Sequence, residues 1–257
     1  MSHPAKDAIR QAAKWLAAAK WPIALTGAGI SVDSGIPDFR SPGGLWVRFD
    51  PFEYATIDAF HHHPRKVWQM LKELSSLIVG AEPNAGHKAL ADIEMQGKLK
   101  AVITQNVDNL HQAAGSRTVI EYHGNGATLV CLECEFTTTA ELAEKKVEET
   151  GEWPPTCDNC GAILKPDVIF FGESIPLDAM MKSQYYAEKS DVILVCGTSA
   201  TVAPASGIPI ITKNNGGRII ELNITTTQLS PMADLTIVGS TSETLPLLAE
   251  ELHSLLG

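Results

Sequence analysis

Ala8, Ile9, Ala12, Leu16 and Ala19 recur at helical spacing, so residues 4–20 are predicted to form an amphipathic helix with Pro4 near its start. A short apolar strand, Pro22–Leu25, follows and runs into Gly27 and Gly29. Further apolar runs predict strands at Leu99–Thr104, Thr118–Tyr122, Val192–Cys196, Arg218–Leu222 and Leu235–Val238, several separated by helix-like stretches. Strands alternating with helices predict an α/β fold: a doubly wound parallel sheet covered on both faces. Two stretches break the rhythm. Residues 127–170 carry two cysteine pairs and the Pro-rich link Trp153–Thr156, and residues 45–82 read as largely helical, with Trp68, Leu71, Leu74, Leu77 and Ile78 on one face. The run His61-His62-His63 is expected on a solvated helix start.

The chain has 257 residues, 44% hydrophobic and 19% charged, enough to bury a sizeable core and outside the regime of disordered chains. A net charge of −10 argues against broad attraction to phosphate backbones or anionic lipid. No apolar run approaches the roughly 18 residues that cross a bilayer, and Met1–Arg10 has no charged start leading into an apolar leader segment. A cytoplasmic setting is therefore expected, with no membrane association and no direct nucleic-acid binding. In that setting Cys131-x-x-Cys134 and Cys157-x-x-Cys160 predict a zinc site before a disulfide framework. Two intervening residues let a tight knuckle aim both sulfurs at one ion, and two knuckles close a tetrahedral shell, which makes the ion structural. Cys196 lies inside an apolar run and is expected to be a small core residue.

Thr26-Gly27-Ala28-Gly29-Ile30-Ser31 follows a strand, where a doubly wound sheet places a phosphate-binding turn. The full dinucleotide fingerprint fails, because Val32 stands at the third glycine position; an ordinary hydride-transferring dehydrogenase is thereby disfavoured. Three more strand ends carry polar clusters: Gln105-Asn106-Val107-Asp108, Gly197-Thr198-Ser199 and Asn223. Singly, each reads as a cap or turn. Together, at strand carboxyl ends beside a Gly-rich turn, they outline a nucleotide crevice. His123, after Thr118–Tyr122, could present an imidazole there as general base, whereas His87, His111 and His253 read as structural.

In order along the chain, Gly27-Ala-Gly-Ile-Ser31, Gly35-Ile-Pro-Asp-Phe-Arg40, Thr104-Gln-Asn-Val-Asp108 with Leu110-His111, His123-Gly124, the paired knuckles, Phe170-Phe-Gly-Glu173, Gly197-Thr-Ser199 with Pro204-Ala205, and Asn223 resemble the sirtuins over about residues 10–250. The resemblance implies an NAD-dependent protein-lysine deacylase. Its implied Rossmann-like domain comprises residues 1–44, 83–126 and 171–257, and its small domain a helical module at 45–82 and a zinc ribbon at 127–170. Ala28, Gly29, Ser31 and Arg40 would contact NAD, and Phe39 would cover the nicotinamide ribose. Gln105, Asn106 and Asp108, assisted by Ile36 and Asp38, would hold the ribose and carboxamide; Gly197, Thr198, Ser199 and Asn223 would bind the adenosine half; His123 would be the catalytic base. An acyl-lysine peptide would add a strand between Ile169–Gly172 and the segment after Ala200.

On this reading nicotinamide leaves C1′ of the ribose, the acyl oxygen attacks there, and an apolar tunnel keeps water from attacking first. A base then draws a proton from the ribose hydroxyls, a task suited to an imidazole with pKa of about 6.5. Free lysine, nicotinamide and O-acyl-ADP-ribose result. Sirtuins specialised for succinyl-lysine and malonyl-lysine read the acyl carboxylate with a Tyr and an Arg; aligned through Trp68, those positions hold Leu71 and Leu74, which implies deacetylation with poor desuccinylation, and Ala55 could leave room for longer apolar chains. Two rivals stay open. One is a nucleic-acid reader built on the zinc ribbon, against which Glu141, Glu144, Glu148, Glu149 and Glu152 count; the other is an NAD-dependent ADP-ribosyltransferase.

Overall fold

In the computed structural model, which describes residues 3–257, nine strands follow the chain as β1 (Pro22–Thr26), β2 (Val102–Thr104), β3 (Val119–Glu121), β4 (Gly124–Val130), β5 (Thr137–Thr139), β6 (Lys165–Val168), β7 (Val192–Cys196), β8 (Arg218–Asn223) and β9 (Leu235–Val238). They belong to two compact units. One runs to Asp38 and takes in Ala81–Tyr122 and Leu177–Gly257; the other comprises Phe39–Gly80 and His123–Pro176.

The first unit is built on a six-stranded sheet in the order β3-β2-β1-β7-β8-β9, every pair parallel. Parallel strands need crossover helices, which cover both faces, so β1 and β7 are buried at every position. On one face Ala24, Val102, Leu194, Cys196, Ile220 and Leu222 pack with Ile9, Leu16, Leu90, Ile93, Leu245 and Leu252 from the helices His3–Ala18, Ala85–Met95 and Thr241–Leu256. The alternate strand positions, among them Ile23, Leu25, Ile103, Ile193 and Ile219, are fully buried on the other face. The helix predicted over 4–20 ends at Ala18, because the N–H groups of Lys20 and Trp21 turn to the Asp191 carboxylate, 2.6 and 3.0 Å away. Strand β2 begins at Val102 although its ladder starts earlier, with Lys100 N–H on the Pro22 carbonyl at 2.8 Å. Cys196 is fully buried as expected, and burial pushes its thiol pKa up.

The second unit holds a three-stranded antiparallel sheet, β5-β4-β6, and the helices Pro51–Tyr54, Ile57–His62, Pro64–Val79 and Ala140–Thr150. Its core gathers Ala55, Phe60, Val67, Trp68, Leu71, Leu129, Leu164 and Phe170. Trp68 donates its indole N–H to the Leu164 carbonyl at 2.8 Å, so the helical stretch and the cysteine-bearing stretch share one core. The histidine run does not begin a helix: His61 and His62 end Ile57–His62, and His63 precedes Pro64, whose fixed φ and missing N–H suit a helix start.

Candidate functional site

The order of the first sheet reverses between β1 and β7, and at such a switch point sheets of this kind bind ligands beyond the carboxyl ends of the strands. Here the loops at those ends are Gly27–Ser31 and Gly197–Ala200. They cross with backbone against backbone: Gly29 N–H bonds the Gly197 carbonyl at 2.8 Å. A Cβ at Gly29 would lie 2.7 Å from that oxygen, and one at Gly197, held at φ +59, would lie 2.4 Å from Ile30 N. Only glycine fits both sides of the crossing.

Beside it lies a chain of buried polar groups. Ser31, 1% exposed, donates its hydroxyl to Asp108 Oδ2 at 2.6 Å and accepts from Asn106 Nδ2 at 3.1 Å. Asn106 Nδ2 also reaches the Gly27 carbonyl at 3.2 Å, and Asp108 Oδ1 accepts the Leu110 N–H at 3.1 Å. His87 Nε2 stands 3.4 Å from Ser31 Oγ, with its ring edge-to-face on His111 at 4.9 Å. His111 Nε2 lies 2.9 Å from Thr26 Oγ1, which bonds Thr104 Oγ1 at 2.9 Å. The Nδ1 atoms of both histidines are buried with no hydrogen-bond partner. Burial lowers His87 to about 4 despite the opposing pull of Asp108, and burial followed by the neighbouring His87 lowers His111 to about 3. Both rings are therefore neutral at pH 7. The network places a carboxylate, an amide and a hydroxyl at strand carboxyl ends, a donor and acceptor set suited to a polar ligand with a ribose or carboxamide.

The neighbouring strand ends extend it. Gln105 Nε2 donates to Thr198 Oγ1 at 2.9 Å, and Asn223 Nδ2 to the Thr198 carbonyl at 2.9 Å. Ser199 Oγ pairs with Thr201 Oγ1 at 2.9 Å. Behind Asn223, the carboxylate of Glu221, 1% exposed, accepts from Thr227, Ser230 and Thr236, bracing the chain that leaves β8.

Of the residues singled out in the sequence, Ala28, Gly29, Ser31, Ile36, Asp38, Gln105, Asn106, Asp108, Gly197, Thr198, Ser199 and Asn223 all lie in the first unit. Ile36 is buried, with its N–H on the Ser31 carbonyl at 3.3 Å. Phe39, Arg40 and His123 belong to the second unit. There Phe39 stacks on Trp46 at 5.0 Å, Arg40 is exposed, and half-buried His123 accepts the Ile169 N–H at its carbonyl, 2.8 Å away. His87 and His111, read as structural, are buried within the polar network. The signal for His87 was a histidine on the buried face of Ala85–Met95, beside Leu90 and Ala91, where an apolar residue would otherwise pack. Asn84 escaped notice: it caps that helix and donates to the Ile30 carbonyl at 2.7 Å and to Ser34 Oγ at 2.9 Å.

In the second unit the sulfurs of Cys131, Cys134, Cys157 and Cys160 all lie within 4.8 Å of one another. Cys131 and Cys160 are 3.4 Å apart and Cys134 and Cys157 3.6 Å, near the roughly 3.8 Å that a tetrahedral ion with Zn–S bonds of about 2.3 Å requires. Each knuckle turns back through a left-handed residue, Glu135 at φ +60 and Gly161 at φ +77, whose N–H bonds the carbonyl of the first cysteine. Four thiols leave no position for water, so the set suits a structural zinc ion. Among the described residues, no helix is long and apolar enough to cross a membrane.

A Sir2 family profile matches residues 27–204. An NAD-dependent protein deacylase of Thermococcus kodakarensis is 45% identical over 249 residues, 96% of this chain and 97% of its own. An NAD-dependent protein deacetylase of Caldivirga maquilingensis is 46% identical over 247 residues, 96% and 95% of the two chains. A solved structure addressing the mechanism and regulation of Sir2 enzymes matches with a TM-score of 0.91 and 41% identity, covering 97% of this chain and 99% of the other. The structure of Sir2Af2 bound to a myristoylated histone peptide matches with a TM-score of 0.83 and 37% identity, covering 97% and 98%. With the six-stranded parallel sheet, the glycine crossing and the four-cysteine cluster, these matches have one reading: the chain belongs to the Sir2 family.

Proposed function

We propose that this protein is an NAD-dependent protein-lysine deacylase that moves an acetyl group from lysine to ADP-ribose and releases nicotinamide. The observation that carries the reading is the buried Ser31–Asp108–Asn106 network beside the Gly29–Gly197 crossing, in a chain of this family. NAD is consumed, supplying an electrophilic ribose carbon and the acceptor for the acyl group, and one water from solvent is taken up as the amide gives way to the ester and the lysine amine leaves.

The residues divide the work by their chemistry. The Ala28–Gly29 turn, with Ser31, Gly197, Thr198, Ser199 and Asn223, binds the phosphates and adenosine; the Gly29 N–H is held by the Gly197 carbonyl, and the close crossing lets the ligand approach the main chain. Asn106 and Asp108 orient the carboxamide and ribose, with Gln105, Ile36 and Asp38 beside them; Ser31 fixes both side chains, so little reorganisation remains when ligand binds. Phe39 covers the nicotinamide ribose and Arg40 contacts the dinucleotide. His123 takes a proton from the ribose hydroxyls as base. The substrate backbone adds a strand along Ile169–Gly172. The zinc ion stiffens the ribbon without entering the chemistry. The dinucleotide-binding domain corresponds to the first unit, and the small domain to the second. A reducing cytoplasm is the setting in which four thiol ligands persist.

Mass spectrometry of an acetyl-lysine peptide incubated with and without NAD tests the reading. Free lysine, nicotinamide and O-acetyl-ADP-ribose are expected only with NAD. An unmodified peptide, or one that gains ADP-ribose and keeps its acetyl group, would overturn it.

A further inference from the structure

The largest fully buried side chain of the second unit is a lysine. Lys165, at the start of β6, is 2% exposed; its ammonium pairs with Glu173 Oε2 at 3.0 Å and donates to the Val168 carbonyl at 2.6 Å and the Pro166 carbonyl at 3.2 Å. It also lies 4.5 Å above the Phe170 ring. A buried charge is expensive to desolvate, and removing its counter-charge leaves it uncompensated. These partners share a location. The carboxylate that balances the ammonium also accepts the Phe170 N–H at 2.6 Å, and Glu173 N–H returns to the Phe170 carbonyl at 3.0 Å. Between them, the two charges grip backbone groups of Pro166, Val168 and Phe170.

The rest of this segment is tied from other directions. Ile169 N–H bonds the His123 carbonyl at 2.8 Å, Phe171 N–H the Ala55 carbonyl at 2.9 Å, and Ile57 N–H the Phe171 carbonyl at 3.0 Å. Among the described residues, the Ile169 carbonyl and both backbone groups of Gly172 have no such partner. The pair, Lys165 buried and Glu173 half-buried, thus ties down the backbone on which lies a stretch left open to another chain. We propose that Lys165 and Glu173 are positioning residues, whose ion pair holds Ile169–Gly172 in the form that accepts the acyl-lysine segment; this rests on the deacylase reading above. Neither side chain need touch substrate. Their effect runs through the Val168 carbonyl and the Phe170 N–H, and falls on peptide recognition rather than on the dinucleotide.

The test uses the full chain with Glu173→Gln, Lys165→Met and the double variant. Three quantities are read: acetyl-peptide affinity by fluorescence anisotropy without NAD, steady-state KM and kcat, and ADP-ribose affinity by calorimetry. Glu173→Gln, nearly isosteric, should weaken peptide binding and raise peptide KM at least about tenfold, with ADP-ribose affinity within about twofold of wild type. The double variant should be no worse than the worse single, because each charge acts through the other. Peptide affinity within about twofold of wild type in Glu173→Gln overturns the proposal, as does loss of folded protein in both single variants, which would assign the pair to fold stability alone. A wild type that binds peptide without turnover would sink the deacylase reading and leave the pair to be judged by anisotropy; one that does neither would sink both.

Discussion

Gly197→Ala puts the crossing of the two crevice loops to a direct test. Gly197 sits at φ +59, a left-handed conformation that costs an L-residue roughly 1–2 kcal/mol. The added methyl would also lie 2.4 Å from Ile30 N and 2.7 Å from Gly29 C, backbone atoms that cannot swing aside as a side chain would. Separating them resembles overpacking a core, a further 1–3 kcal/mol or about 2–5 kcal/mol in all. That free energy appears in one of two places. If the loops hold, the folded state bears it, and Tm falls by about 5–15 °C. If the loops part, the Gly29 N–H leaves the Gly197 carbonyl and ADP-ribose affinity falls by about 30-fold to a few thousand-fold. Thermal unfolding and calorimetry with ADP-ribose, run on one preparation, read both. Gly207→Ala is the control: φ is −78 and nothing lies within 4 Å of the added Cβ, so stability should hold or rise by up to about 1 kcal/mol. A Gly197→Ala protein with wild-type Tm and wild-type ADP-ribose affinity would refute the reasoning.

Cys157→Ser removes one ligand of the four-sulfur set and should lower zinc content and Tm together, with activity following the folded fraction; a folded, zinc-free, fully active variant would contradict the structural role. His123→Ala should keep ADP-ribose affinity and lose about 10²- to 10⁴-fold in deacylation, and deacylation at wild-type rate would remove His123 from its role. Leu71, buried beside Ala55 and Phe170, and half-buried Leu74 offer a carboxylate neither charge nor donor, so kcat/KM on succinyl-lysine should lie at least about 100-fold below that on acetyl-lysine and butyryl-lysine peptides; a succinyl preference would reverse the assignment. His87 and His111 are held below their usual value of about 6.5, at about 4 and about 3, so the unfolded chain binds more protons in that window. Their contribution is complete above about pH 6.5 and is lost as pH falls toward 4; urea unfolding of wild type and His111→Gln should diverge in pH slope across that range, and parallel curves would count against it.

What could be read without coordinates was whatever local chemistry encodes. Val192–Cys196 is apolar throughout because a parallel strand is covered on both faces, and that composition announces the strand with no partner known. The two C-x-x-C pairs declare themselves because a knuckle is a short-range object, complete within four residues. The polar clusters after β1, β2, β7 and β8 stand out because strands in such a sheet end at the ligand. The histidine run went astray for an equally local reason: Pro64 opens a new helix, so those residues close the preceding one.

Tertiary structure alone decided which of these pieces meet. The β1–β7 neighbourhood that makes the switch point joins residues about 170 apart, and Ser31 reaches Asp108 across 77 positions. That His87 and His111 meet edge-to-face and contact Ser31 and Thr26 is likewise set only when their two helices pack together. Nothing local in the sequence marks Lys165; only the folded chain closes Glu173 and two carbonyls around its ammonium. Periodicity and turn chemistry act over a few residues and so are written into sequence, whereas desolvation and hydrogen-bond satisfaction depend on what lies across the core, and that is set when distant segments pack.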